Sequence, residues 1–194
     1  MEETKNIIGS IAIALTFLGY LPYVRDTLKG KTKPHVYSWL IWASISVIVF
    51  ALQLSDGAGL GAFVTLTAVI VAYTIFFLSL RAGKKDITRS DTVFLILALI
   101  ALLIWLFAKQ PVISTLLLTT IEVLAFLPTI RKSWNKPHSE TLSFYLLNTI
   151  RFTLAILALQ HYSIITTLYP TVWLLGNGLF SMLLILRRRQ LIHK

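Results

Sequence analysis

The sequence predicts an all-α integral membrane protein. It reads as seven transmembrane helices in a 3+1+3 arrangement, two parallel three-helix repeats joined by a linker helix. Three observations predict this class. The 194-residue chain is 56% hydrophobic and only 13% charged, with mean hydropathy +0.77, more apolar surface than a soluble domain of this size can hide. Its basic residues, which set the net charge of +10, stand in short breaks between apolar runs rather than on one face of a soluble fold. That placement argues against a nucleic-acid partner. A proline-centred motif also occurs twice, once in each half of the chain.

Apolar runs long enough to cross about 30 Å of hydrocarbon at about 1.5 Å per residue fall at 6–24, 36–54, 58–80, 92–108, 112–130, 142–160 and 164–186. No A-x-A-like cleavage site follows the first run, so it reads as a retained helix rather than a signal peptide. The fourth run is the shortest and lies between Asp91 and Lys109. The breaks carry Gly, Pro or charge and are short, which predicts antiparallel neighbours. There are no cysteines, so disulfides and thiolate metal sites are excluded.

The repeat sets the domain organisation. Leu18-Gly19-Tyr20-Leu21-Pro22-Tyr23-Val24-Arg25 returns as Leu124-Ala125-Phe126-Leu127-Pro128-Thr129-Ile130-Arg131. A loop with Lys33-Pro34-His35, then Lys136-Pro137-His138, follows each copy, and Ser38 and Ser143 open the next runs. The offset of 106 residues that aligns the prolines also places Thr65 on Thr171 and Leu80-Arg81 on Leu186-Arg187. Residues 1–85 form the first three-helix repeat, 86–110 the linker helix and 111–194 the second repeat. An odd number of spans between two units gives both the same orientation.

Lys and Arg counts predict the topology. Arg25, Lys29, Lys31 and Lys33 lie in the first loop, Arg81, Lys84, Lys85 and Arg89 in the third, and Arg131, Lys132 and Lys136 in the fifth. Arg187, Arg188, Arg189 and Lys194 close the chain. With seven spans all of these share one side, and Lys5 and Lys109 fall opposite. The N-terminus is expected outside and the C-terminus in the cytoplasm, in a bacterial inner (plasma) membrane.

Glu122 and Arg151 are ionisable residues deep inside apolar runs. Counted from the inner ends of their helices, both lie roughly 14–15 Å deep at 1.5 Å per residue, level with each other near the midplane. An isolated charge there costs about 2.5–3.5 kcal/mol on insertion scales. Mutual pairing or a water-filled cavity relieves that cost. The pair is compatible with a structural ion pair between the fifth and sixth helices, or with a substrate or proton role. The equivalent first-repeat positions, Thr16 and Ser46, are uncharged. Asn148 shares a helix face with Arg151, and Thr65, Thr171 and Asn177 are further polar candidates within the third and seventh spans. Trp42 and Trp173 lie deep enough to wall a solute site, whereas Trp39, Trp105 and Trp134 fall near interfaces. No His stands at metal-ligand spacing from another His or a carboxylate, and no metal or cofactor is assigned.

With its duplicated prolines, the 3+1+3 plan resembles the PQ-loop and SWEET superfamily of small-solute transporters over nearly the whole chain. The residues that carry the resemblance are Pro22, Pro128, Ser38, Ser143 and the run from Pro170-Thr171 to Gly178. Where SWEETs usually have a sugar-site Asn after the proline, this chain has Thr171, and Tyr23 and Thr129 replace the Gln of the PQ dipeptide. Nicotinamide riboside carriers and KDEL receptors resemble the same plan.

The resemblance implies a transporter that moves a small polar metabolite, sugar, amino acid or nucleoside-like, by alternating access between the repeats. Glu122, Arg151, Asn148, Asn177, Thr65, Thr171, Trp42 and Trp173 would line the substrate site, with Pro22 and Pro128 as hinges. Proline in a helix removes a hydrogen bond and kinks it; the alternative is that each proline ends its helix. A receptor or scaffold that binds without transport is the other reading. Intramembrane hydrolysis is disfavoured, because the spans offer neither paired carboxylates nor a nucleophile with a base. The expected partners are a small-molecule substrate and the lipid bilayer. A homo-oligomer is compatible with the sequence, and substrate identity and proton coupling stay open.

Overall fold

The computed structural model describes residues 2–82, 87–107 and 110–192, with the backbone alone at 82, 98, 101–106 and 192. Lys84, Lys85, Lys109, His193, Lys194 and the repeat boundary expected at 85–86 lie outside the described residues. Seven α-helices are described, and no strand occurs among the described residues: α1 Glu2–Leu28, α2 Val36–Ser55, α3 Leu60–Ala82, α4 Arg89–Phe107, α5 Pro111–Asn135, α6 Leu142–Leu157 and α7 Ile164–Ile192. A 3-10 turn, Pro137–Ser139, precedes α6. The chain is a helical membrane protein: α1, α2, α3, α5 and α7 are long and apolar enough to cross a bilayer. At 16 residues α6 is shorter than the run read for it, because it is capped at Ala158 and the chain bends at Gln160. There the Gln160 N–H donates to the Ala58 carbonyl at 3.4 Å, and its carboxamide donates to Asn6 Oδ1 at 3.0 Å.

Local chemistry explains the helix ends. α1 starts with Glu2 and Glu3 and has Arg25 in its last turn, which suits the helix dipole. α5 starts with Pro111, whose missing N–H costs nothing in a first turn. The α2–α3 turn needs left-handed backbone at Gly57 (φ 75°) and Gly59 (φ 61°), and a side chain on Gly59 would run into Gln160.

The two triples share one neighbour pattern. In the first, α3 packs on both α1 and α2; in the second, α7 packs on both α5 and α6. Between them, α1 lies on α6 and α2 lies on α5, while α4 packs on α5. Consecutive helices α1 and α2, and likewise α5 and α6, pack mainly on α3 and α7, and meet each other through side chains such as Tyr20 with Trp39 and Phe126 with Tyr145. One end of the bundle gathers the basic loops: the Lys33 N–H donates to the Ser139 carbonyl at 3.0 Å, and Arg188 reaches the Pro137 carbonyl at 3.1 Å. The opposite end gathers Asn6, Asp56 and the α6–α7 loop.

Polarity is reversed relative to a soluble bundle. On α7, Leu175, Leu179, Met182 and Leu186 form an exposed stripe at helical spacing, while Trp173, Asn177, Phe180 and Leu184 face inward. Lipid solvates the outer stripe, so polar groups are kept for the interior. Pro22 and Pro128 lie within their helices, with α1 continuing to Leu28 and α5 to Asn135. Neither proline ends its helix. Each leaves the carbonyl four residues earlier, Leu18 or Leu124, without a helical partner. Beside the second break, Ser38 Oγ donates to the Ala125 carbonyl and accepts from Thr129 Oγ1 at 3.1 Å.

Candidate functional site

The interior holds a cavity of about 50 Å³, lined by side chains from α1, α2, α3, α5, α6 and α7. At about 10–15 Å³ per enclosed water, it has room for roughly three to five waters. It lies between the two triples, where the buried polar groups of α2, α5, α6 and α7 meet.

Glu122, 1% exposed, projects from α5 into this space. Trp173 Nε1 donates to its Oε2 at 2.8 Å and Ser46 Oγ donates to its Oε1 at 3.0 Å. Trp42 Nε1 donates to the Glu122 backbone carbonyl at 3.0 Å. Ser46 Oγ also stands 3.1 Å from the Tyr169 hydroxyl. Both carboxyl oxygens therefore have donors, drawn from α2 and α7.

Arg151, 3% exposed, projects from α6 and is held differently. Its Nε and Nη1 are enclosed without a hydrogen-bond partner. The guanidinium carbon lies 4.0 Å from the Phe152 ring centroid and 6.0 Å from that of Tyr20. No ion pair joins Arg151 to Glu122. The expectation of level partners assumed that consecutive antiparallel helices present these residues to each other. Glu122 is instead held by Ser46 of α2 and Trp173 of α7, which occupy its two oxygens. Mutual pairing is therefore not the remedy, and both side chains line one cavity.

The other candidates divide. Asn148, three residues before Arg151, lines the same cavity, as do Asn177, Trp42 and Trp173. Asn177 Nδ2 donates to the Trp173 carbonyl at 2.7 Å, and the two indoles meet edge to face at 5.4 Å. Thr171 and Thr65 do not line the cavity, a correction to the reading by repeat position. Thr171 is exposed on the outer stripe of α7, four residues before Leu175. Thr65 is buried between α2 and α3 and donates to Gln53 Oε1 at 2.8 Å. Pro22 and Pro128 lie outside the lining, although their neighbour Tyr20 contributes to it.

Toward the basic-loop end, Tyr20, Trp39, Phe144 and Tyr145 close the cavity with a layer of rings in mutual contact. Trp39, read as interfacial, is buried in this layer, where its Nε1 donates to the Tyr23 hydroxyl at 3.3 Å. Beyond the rings stands a polar knot on Glu140. Its Oε2 accepts from the hydroxyls of Tyr23 at 2.9 Å and Tyr145 at 2.8 Å, and its Oε1 pairs with Lys132. Lys132 also donates to the Lys33 carbonyl, and Arg188 donates to the Glu140 carbonyl. This knot ties α1, α5, α6 and α7 together. Sequence reasoning missed it, and missed Tyr20 and Tyr169. The available signal was Glu140 itself, the last acidic residue of the chain, set in a basic loop.

Next to this knot Asp91 accepts from Arg131 at 2.8 and 2.7 Å and from the Thr88 N–H at 2.8 Å, and lies 3.2 Å from His35 Nε2. Burial pushes the Asp91 carboxyl up, but the Arg131 and Thr88 hydrogen bonds outweigh it and hold the group below the ordinary range. Burial holds His35 below its ordinary value against the pull of Asp91. Among the described residues, no cluster of three His, Cys, Asp or Glu is arranged to hold a metal ion.

Comparison with protein-family models, curated proteins and solved structures finds no match for this chain.

Proposed function

We propose that the chain is a membrane carrier with seven spans in a 3+1+3 plan, similar to the PQ-loop and SWEET transporters. It moves a small polar metabolite by alternating access between two parallel three-helix repeats, α1–α3 and α5–α7. The observation that carries the reading is a cavity between the triples, walled largely by rings and lined by buried Glu122 and Arg151. Polar groups buried at such cost in a membrane helix mark a solute path more often than a scaffold. The shared neighbour pattern, with α3 and α7 as the middle helices, supports the repeat.

In this reading the ring layer and the Glu140 knot form the closed inner gate. Their partners come from α1, α2, α5, α6 and α7, so bending α1 at Pro22 and α5 at Pro128 separates them and opens the cavity to the cytoplasm. Asn148, Asn177, Trp42 and Trp173 complete the solute site around Glu122 and Arg151. Uptake of labelled sugars, amino acids, nucleosides and carboxylates into proteoliposomes tests it, with Glu122→Gln and Arg151→Gln as controls. Flux that both substitutions reduce is the expected result. Absence of flux for every solute overturns the carrier reading, and binding without flux selects the receptor reading.

A further inference from the structure

We infer that the cavity binds a small organic carboxylate, its carboxylate group forked onto Arg151. This deepens the carrier reading and rests on it for the word substrate, but the binding site itself stands on separate observations.

The first is an imbalance between the two charged side chains that line the cavity. Glu122 has an indole N–H on one oxygen and a serine hydroxyl on the other, so its acceptors are served by the protein. Arg151 has no such service: its Nε and Nη1 are enclosed without a partner in a side chain 3% exposed. A guanidinium offers five N–H donors and accepts nothing. What is absent from its surroundings is therefore an acceptor, and one carrying negative charge, since unpaired buried cations are costly. Glu122 lines the same cavity, but its oxygens are held by Trp173 and Ser46 and it makes no ion pair with Arg151, so the acceptor for the guanidinium is left to a ligand.

The second observation is the shape and chemistry of the space. Arg151 and Asn148 line it from one face of α6, and a carboxamide brings an N–H₂ donor to the same lining. A planar carboxylate accepts two parallel hydrogen bonds from one guanidinium edge, a match a spherical ion lacks. The remaining walls are largely rings, among them Trp42, Trp173, Phe144 and Phe152. Such walls suit an apolar body and do not offer the many hydroxyl partners that a sugar requires. A volume of about 50 Å³ limits that body to a short chain. Ring walls with one anion anchor describe a small aliphatic monocarboxylate.

The test compares isosteric pairs on the purified full chain in detergent at constant ionic strength: butyrate against butyramide, with chloride and inorganic phosphate as further probes. Thermal-shift titration is expected to show butyrate stabilising the protein and butyramide binding on the order of 10- to 100-fold more weakly, the loss of a charge-assisted pair. Arg151→Gln is expected to abolish the preference, and Arg151→Lys to keep a weakened one, because an ammonium retains the charge without the fork. Equal binding of acid and amide by the wild-type protein overturns the inference whatever the variants do. So does a response to chloride or phosphate that matches butyrate. Proteoliposome uptake separates the two readings. Butyrate binding without flux sinks the carrier and leaves this site, whereas flux of a neutral solute with no carboxylate binding sinks this site and leaves the carrier.

Discussion

Replacing Arg151 by methionine separates a structural arginine from a ligand-binding one. Had Arg151 been half of a buried ion pair, its removal would strand a partner and cost about 3–5 kcal/mol. Among the described residues no acidic partner exists to strand, and Nε and Nη1 already lack acceptors. The substitution removes the approach of the guanidinium to the Phe152 ring at 4.0 Å, a cation–π interaction worth about 0.5–2 kcal/mol. Against it stands the relief of two enclosed donors at about 1–3 kcal/mol each, reduced by whatever waters reach the guanidinium. Methionine fills a similar channel with a flexible apolar chain. The balance is a change between zero and a gain of about 2 kcal/mol. For a chain of this length that corresponds to a rise of up to about 8 °C, at roughly 2–4 °C per kcal/mol. Thermal unfolding of the ligand-free protein in detergent, followed by tryptophan fluorescence, measures it. A fall of more than about 6 °C, equivalent to a destabilisation of about 2 kcal/mol or more, would refute the reasoning and return Arg151 to a structural role.

Four further outcomes are expected. Trp173→Phe keeps the ring but removes the N–H donated to Glu122, and should cost about 1.5–3 kcal/mol in unfolding free energy if that carboxyl is ionised and less if it is neutral. Lys132→Met and Glu140→Gln each leave a buried partner unsatisfied and should each cost about 3–5 kcal/mol; a double-mutant cycle returning no coupling would show that the pair is not a unit. Pro128→Ala restores a helical N–H and should leave solute affinity within about twofold while slowing uptake; equal uptake rates in wild type and variant would remove the hinge. Acid should loosen the His35 end. Its folded value lies below the ordinary one, so this contribution to stability is complete above about pH 6.5 and is lost as pH falls below it. Asp91, also depressed, adds its loss only below about pH 4. The melting temperature should therefore decline from pH 7 to pH 5 in wild type, and His35→Gln should flatten that decline.

Much of the fold was legible because membrane burial is written in composition. Each apolar run became a helix, since a backbone in hydrocarbon must satisfy its own hydrogen bonds. The deep positions of Glu122, Arg151, Asn148 and Asn177 were legible for a related reason: a polar residue amid apolar ones has to turn inward, and all four line the cavity. Thr171 broke the rule because threonine is tolerated on an outer face, where its hydroxyl can bond to its own helix. Thr65 obeyed the rule toward a different partner, Gln53. Alignment of the repeats matched their sequence positions, not which face of the helix each turned toward the centre.

From sequence alone came the helices, their polarity of burial, the duplicated motif and two charges too deep for the lipid. These are local properties, set by hydropathy and by the spacing of residues along one chain. Tertiary structure decided which helices are neighbours, and with it the fate of those charges. By bringing α2 and α7 against α5 it gave Glu122 to Ser46 and Trp173, and it left Arg151 at the cavity with two enclosed donors lacking an acceptor. No periodicity encodes that outcome, because it depends on how the ridges of three helices fit together rather than on any one of them.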